Sequence, residues 1–207
     1  MIFTLLSQPQ LLLIWLVGIV YAITVHEFSH ALAATQLGDR TARDQGRLTL
    51  NPMKHLDMVG FIVLLLAGFG WGRPVPFNPY NLRNQRWGPV LISLAGPASN
   101  LLSFLVFGFA LKLVLGNGIL EPTNLLAQFM FLLLEINFVL AVFNLLPVPP
   151  LDGSKLLYAL LPSRFQHVIE PLERYGSFVL LGLVILGGSL IGGMFNALYQ
   201  FALRIFG

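Results

Sequence analysis

The residues best suited to chemistry are two histidines four positions apart with a glutamate beside the first. His26, Glu27 and His30 form the pattern His-Glu-x-x-His. On a helix, residues four apart share a face, so both imidazoles can bind one zinc ion while Glu27 stands beside it as a general base. The chain has no cysteine, so any other ligand must be imidazole, carboxylate or backbone oxygen. The motif therefore predicts a zinc site.

A catalytic zinc site usually has three protein ligands and an open position for water, so a third ligand is required. The chain offers four histidines and nine acidic residues in all. Asp152 stands out because it follows a run of prolines, which end a helix, and precedes Gly153, which permits a turn. Such irregular backbone can present a carboxylate at membrane depth. Asp152 could equally be the N-cap of a helix beginning near Ser154, and the residues alone leave both interpretations open.

The elements that position these residues must be membrane helices. Hydrophobic residues make up 56% of the 207 residues and charged residues only 10%, and the mean hydropathy is +0.78. The net charge of +3 does not indicate nucleic acid binding, because the basic residues lie in loops beside apolar segments. Four stretches are long enough to cross a bilayer, near 10–35, 89–111, 123–147 and 176–201.

The remaining segments complete a single intramembrane domain over 1–207. The apolar run 58–69 is too short for a span and is predicted to be re-entrant. Alternation in Gly46–Pro52 and the prolines of Pro74–Pro79 predict short β-strands flanking it. The predicted fold is an all-α polytopic membrane protein with about four transmembrane helices, a re-entrant segment and flanking strands.

Four motifs in a fixed order resemble the site-2 protease family of intramembrane metalloproteases, and specifically its compact branch without PDZ or CBS domains. The motifs are His26–His30, Gly46–Asp57, Gly96–Asn100 and Asn144–Gly153. The resemblance covers most of residues 20–160. It implies that His26, His30 and Asp152 bind the metal and that Glu27 activates water.

The resemblance also implies the reaction and its setting. One zinc ion per chain would serve hydrolysis of peptide bonds in or next to transmembrane segments of membrane protein substrates. The expected partners are therefore such a substrate and the lipid bilayer, with no nucleic acid.

Other polar residues near these motifs are candidates for supporting roles. Gly96 and Asn100 fall on a family motif that implies closing around the site or substrate, although small residues here could simply let two helices approach. Asn144 also falls on a motif, and Asn137 shares its helical face. His55 could donate a hydrogen bond to an oxyanion or anchor its loop, and anchoring is favoured.

Two further ionisable residues and two rival functions complete the predictions. Glu135 is expected to be a protonated or paired structural carboxylate, and His167 to be solvated. A membrane metal transporter would also place histidines and carboxylates in the bilayer, but it needs polar sites at successive depths and the chain offers one cluster. A non-catalytic metal-binding relative is the second rival, and intact Glu27 argues against it.

Basic residues predict the orientation. With four spans and a re-entrant segment, ten of the twelve fall on one face, and only Lys112 and Arg204 fall on the other. The positive-inside rule makes the richer face cytoplasmic. Because the first span delivers His30 to that face and the third ends there before Asp152, the site is expected to open toward the cytoplasm of a prokaryotic cell.

Overall fold

A computed structural model describes residues 8–67 and 70–161 continuously, and beyond them only separate positions between 169 and 206. In chain order the described helices are α1 (Pro9–Gln36), α2 (Thr41–Asp44), α3 (Met58–Ala67), α4 (Gly88–Gly116), α5 (Leu125–Asn144) and α6 (Gly153–Leu160). Two 3-10 turns occupy Pro52–Lys54 and Pro79–Asn81. Three of the helices, α1, α4 and α5, are long and apolar enough to cross a membrane. They confirm the first three predicted spans.

The inner face of α1 explains how the predicted metal-binding motif is placed. Its buried residues recur at helical spacing and include Trp15, Gly18, Ile19, Ala22, His26, His30 and Ala34. Small side chains let the neighbouring helices come close. A methyl group on Gly18 would lie only 3.1 Å from the side chain of Ile136 on α5. Both histidines therefore face the interior of the three-helix bundle.

Helices α4 and α5 pack against each other through aromatic rings. Phe104 on α4 stacks on Phe138 of α5 with ring centroids 4.3 Å apart, and Leu134 is buried beside them. Helix α5 begins at a standard cap, since the side chain of Asn124 accepts a hydrogen bond from the amide of Leu126. The stack of Phe104 on Phe138 fixes α4 and α5 relative to each other. Helix α1 packs against both of them.

The residues before and after α3 lie next to each other. Leu56 and Gly72, on either side of α3, form an antiparallel bridge, and the amide of Arg73 donates to the carbonyl oxygen of His55 at 2.7 Å. The backbones are packed closely, because a methyl group on Gly60 would overlap the carbonyl of Trp71. The two ends of this apolar helix are therefore joined.

The predicted strand in Gly46–Pro52 was wrong. Its described residues form a turn and bends, and the bridge at Leu56 is displaced from it along the chain. The polar groups there bond across the loop instead of to a neighbouring strand: the Arg47 side chain reaches carbonyls in 73–74, and the carbonyl of Thr49 accepts from His55. Pro74–Pro79 runs without forming a strand, since proline lacks the amide hydrogen that a ladder needs.

The fourth predicted span falls among positions that the structure describes only in part, and His167 lies outside the described residues. Two contacts locate the chain on either side of that region. The Arg86 guanidinium donates to the carbonyl of Ala159 near the start of α4. Lys112 Nζ donates to the carbonyl of Ile205 near its other end, about 36 Å away along the helix.

Candidate metal centre

Three side chains from two distant parts of the chain converge in the bundle. His26 and His30 project from α1, and Asp152 lies at the start of α6. Asp152 Oδ2 is 3.0 Å from His26 Nε2 and 3.3 Å from His30 Nε2. All three potential ligand atoms lie within 4.8 Å of one another, and both histidines are buried. A tetrahedral zinc with bonds of about 2.0–2.1 Å places its donor atoms about 3.3–3.4 Å apart. The two nitrogen–oxygen distances are close to this separation.

A glycine on α4 leaves the space that a metal would need. A methyl group on Gly96 would lie 2.5 Å from His30 Nε2 and 2.6 Å from His26 Nε2. Only a residue without a side chain can therefore face both nitrogen atoms at this distance. Gly96 thus brings α4 close to α1 and also borders the Nε2 atoms of both histidines.

Each histidine is oriented through its other ring nitrogen. His30 Nδ1 donates to the backbone carbonyl of Ile92 at 2.7 Å. His26 Nδ1 is hydrogen-bonded to the side-chain oxygen of Asn100, which is completely buried. Because these oxygens only accept, both Nδ1 atoms carry the proton and both Nε2 atoms are free to bind a metal.

Asp152 does not act as an ordinary helix cap. It occupies the N-cap position of α6, but its side chain makes no capping hydrogen bond and turns toward the two histidines. Gly153 allows this arrangement, because a methyl group there would overlap the carbonyl of Leu145. Asp152 thus makes no capping contact, and it belongs to a group of side chains that could hold a metal ion.

Glu27 stands next to the histidines with one oxygen uncommitted. Its Oε2 is buried and has no hydrogen-bond partner among the described residues. Its Oε1 faces the backbone at Gly72, where a methyl group would lie 3.3 Å away. A carboxylate that is held beside a metal site but not bonded to protein donors can take a proton from water.

Arg47 holds the chain that covers Glu27, a role that the sequence did not reveal. Its buried guanidinium donates to the carbonyls of Arg73 at 2.6 Å and Pro74 at 3.1 Å. Burial lowers the pKa of Arg47, and the nearby carboxylate of Glu27 opposes that shift. We call Gly72–Pro76 the strap. Arg47 belongs to a family motif, but its alternating neighbours suggested a strand and no particular contact.

The other candidates make their contacts elsewhere. Asn144 donates to the carbonyl of Leu140 within its own helix. His55 is fully buried and its Nε2 donates to the carbonyl of Thr49 at 2.7 Å, a contact that suits loop anchoring. Glu135 is half-buried and forms no hydrogen bond with another described residue. The structure thus brings Gly96 and Asn100 to the predicted ligands but not Asn144 or His55.

Comparison with known proteins gives the family. The profile of peptidase family M50 matches residues 120–187. A Bacillus subtilis protein named "Putative zinc metalloprotease YwhC" is 41% identical over 207 residues, covering 97% of this chain and 94% of that protein. The chain belongs to peptidase family M50, the site-2 protease family.

Two further relatives carry the same kind of name. "Putative zinc metalloprotease Rip2" of Mycolicibacterium smegmatis is 30% identical over 205 residues, covering 95% of this chain and 75% of that protein. "Putative zinc metalloprotease MJ0611" of Methanocaldococcus jannaschii is 36% identical over 102 residues, covering 48% of this chain and 49% of that protein. No solved structure matches the chain significantly.

Proposed function

We propose that this M50 protein is an intramembrane zinc endopeptidase that hydrolyses peptide bonds in or next to transmembrane segments of membrane proteins. The observation that carries the proposal is the convergence of His26, His30 and Asp152, whose potential ligand atoms lie within 4.8 Å of one another inside a bundle of apolar helices. Gly96 leaves space on one side, and Glu27 stands beside the group. The names of the relatives, which specify zinc and proteolysis, support the same assignment.

The residues divide the work of hydrolysis. Zinc held by the two Nε2 atoms and Asp152 would supply Lewis acidity toward the attacking water and the scissile carbonyl. Glu27 Oε2 takes the proton of that water and returns it to the leaving amine. This oxygen suits the role because it accepts no hydrogen bond from the described residues. Gly96 keeps the centre open, and the strap lies against Glu27 at Gly72 and limits the approach to the carboxylate there.

The decisive experiment compares cleavage of a reconstituted membrane substrate with zinc content in the same preparations. Glu27→Gln should abolish cleavage and keep zinc near the wild-type amount, because Glu27 is a base and not a ligand. His26→Ala should lose both, because a three-ligand site loses one ligand. Full zinc and cleavage in His26→Ala would refute the site. Wild-type protein that moves zinc into vesicles but cleaves nothing would instead show a transporter.

We also propose four crossings with α3 re-entrant. The pairing of Leu56 with Gly72 joins the two ends of α3 on one side. The contacts of Ala159 and Ile205 at opposite ends of α4 support one further crossing between them. With ten of twelve basic residues on the face where α4 begins, this face is cytoplasmic and the site opens toward it.

Single cysteines in this cysteine-free chain test the topology. Arg43→Cys and Gln85→Cys lie in the chain before and after α3, and Asn117→Cys follows α4; all three positions are exposed. In intact cells an impermeant thiol reagent should label only Asn117→Cys, and permeabilised cells should label all three. If one of Arg43→Cys and Gln85→Cys is labelled and the other is not, the two positions lie on opposite faces and α3 crosses the membrane. Labelling of both without Asn117→Cys would reverse the orientation.

A further inference from the structure

A chain of hydrogen bonds runs from α5 through α4 to the metal-binding histidine on α1. Asn137 and Asn100 are both fully buried. Asn137 Nδ2 donates to the carbonyl of Leu133 at 2.8 Å, and its Oδ1 accepts from Asn100 Nδ2 at 2.9 Å. Asn100 Nδ2 also donates to the carbonyl of Ala22, and Asn100 Oδ1 meets His26 Nδ1. The side-chain nitrogen and oxygen atoms of both asparagines are therefore all hydrogen-bonded.

Two backbone carbonyls determine the direction of this chain. A carbonyl oxygen can only accept, so the Asn137 amide must turn its NH2 toward Leu133 and its oxygen toward Asn100. The carbonyl of Ala22 and the oxygen of Asn137 likewise require the NH2 of Asn100. The oxygen of Asn100 is then the group that faces His26, and it requires a proton on Nδ1.

This arrangement matters because the two histidines are oriented by different means. His30 is held by the backbone carbonyl of Ile92. His26 is held by a side chain whose own orientation depends on a second side chain on another helix. Hydrogen bonds to the outer nitrogen of a metal-binding histidine set its tautomer and ring orientation. The orientation of His26 is thus tied to the packing of α5 against α4.

We propose that Asn137 is a positioning residue of the metal centre: acting through Asn100, it holds His26 in the tautomer that presents Nε2 to zinc. The inference rests on the proposed zinc site and extends it to a residue outside the four motifs, which contacts none of the three ligands directly. Replacing Asn137 by an apolar residue leaves the Asn100 amide oriented by the carbonyl of Ala22 alone. The amide then rotates more readily, and a rotated amide would place a donor against His26 Nδ1 and favour the wrong tautomer.

The test measures zinc affinity by competition with a chromogenic chelator in detergent, together with the visible absorption of the cobalt-substituted protein. Asn100→Leu should weaken zinc binding about 10–100-fold, as is typical for the partner of a ligand histidine. Asn137→Leu should weaken it less and should change the cobalt spectrum. The double variant should bind no more weakly than Asn100→Leu, because Asn137 acts only through Asn100. Ser103→Ala is the control, since this buried α4 hydroxyl bonds to the carbonyl of Ser99 and to the hydroxyl of Tyr21, and not to His26 or Asn100.

Each outcome decides the proposal. Wild-type zinc affinity and cobalt spectrum in Asn137→Leu would overturn it, and so would additive losses in the double variant. Asn137→Ser provides a milder second variant, whose shorter side chain cannot bridge to Asn100. If wild-type protein and His26→Ala bind zinc equally, the zinc site itself is wrong, which is distinct from failure of Asn137 to act on it. Thermal unfolding of the metal-free proteins separates loss of affinity from loss of fold.

Discussion

Replacing Gly96 with alanine tests the metal centre with one added methyl group. The methyl carbon would lie 2.5 Å from His30 Nε2 and 2.6 Å from His26 Nε2, whereas ordinary contact begins near 3.4 Å. Either the methyl group or the imidazoles must therefore move by about 0.9 Å. The neighbouring atoms belong to rings fixed by hydrogen bonds through Nδ1, so they cannot simply swing away.

The expected effect on metal binding is large. Ligand distances in a metal site are held to about 0.2 Å, so a displacement several times larger should remove zinc. A misplacement of about 1 Å in a catalytic site can cost on the order of 100-fold in rate, and we expect at least that loss of cleavage. The change of residue type does not weaken the helix itself, because alanine favours helix over glycine by about 0.8–1.0 kcal/mol.

Zinc content, substrate cleavage and thermal unfolding of Gly96→Ala in detergent would measure these effects. Gly116→Ala is the matched control, because Gly116 ends the same helix and a methyl group there meets no atom within 4 Å among the described residues. We expect the control to keep zinc and activity. If Gly96→Ala also kept both, the metal could not lie between Gly96 and the two Nε2 atoms, and the site geometry would be refuted.

Two further predictions concern the other carboxylates and His55. Asp152→Asn should reduce zinc retention and cleavage, because Asp152 contacts both histidines. Glu135→Gln should leave both near the wild-type values. Zinc content and turnover of the two variants measure this difference, and the reverse pattern would identify Glu135 as the ligand. His55→Ala should keep zinc and lose part of the turnover, because the Thr49 contact is removed and the loop beside the strap loosens. Unchanged kinetics in His55→Ala would mean that this anchor does not affect the site.

The first two proposed ligands could be placed together from sequence because local geometry decides their relative position. His26 and His30 share a face of α1 through helical periodicity alone, and the same face carries the small buried residues. The first three spans follow from length and hydropathy. These features depend on neighbours along one helix, so no knowledge of tertiary packing is needed.

The third proposed ligand and the amides near the histidines depend on how separate helices meet. The sequence alone could not decide whether Asp152 caps a helix or binds a metal. The direction of the Asp152 side chain depends on the packing of Gly153 against Leu145. The contact between Asn100 and Asn137 depends in the same way on the approach of α4 to α5. The strand predicted at Arg47 failed because alternation shows which side chains can turn inward, but not which carbonyls will accept their hydrogen bonds.

A buried carboxylate outside the membrane helices joins the start of α2 to the loop before α4. Asp39 Oδ1 accepts from the amide and hydroxyl of Thr41 and from Asn81 Nδ2, while Oδ2 accepts from the amide of Asn78 at 2.7 Å. Burial opposes ionisation, but these hydrogen bonds outweigh it and hold the pKa of Asp39 below its ordinary value. The charged form therefore stabilises the connection between these two loops.

The sign of the resulting pH dependence follows from that lowered pKa. Asp39 is ionised in both states above the unfolded pKa near 4, so its stabilisation is complete there and is lost as pH falls through the lower folded pKa. Asp39→Asn leaves at least one donor unpaired, a cost of about 1–3 kcal/mol. Thermal unfolding in detergent should therefore show a lower midpoint for Asp39→Asn at pH 7, with the difference from wild type shrinking as the pH is reduced toward 3. Asp44→Asn, at an exposed position on α2, is the control and should give no such converging difference. A difference between wild type and Asp39→Asn that stayed constant with pH would show that the Asp39 charge is not what holds these loops together.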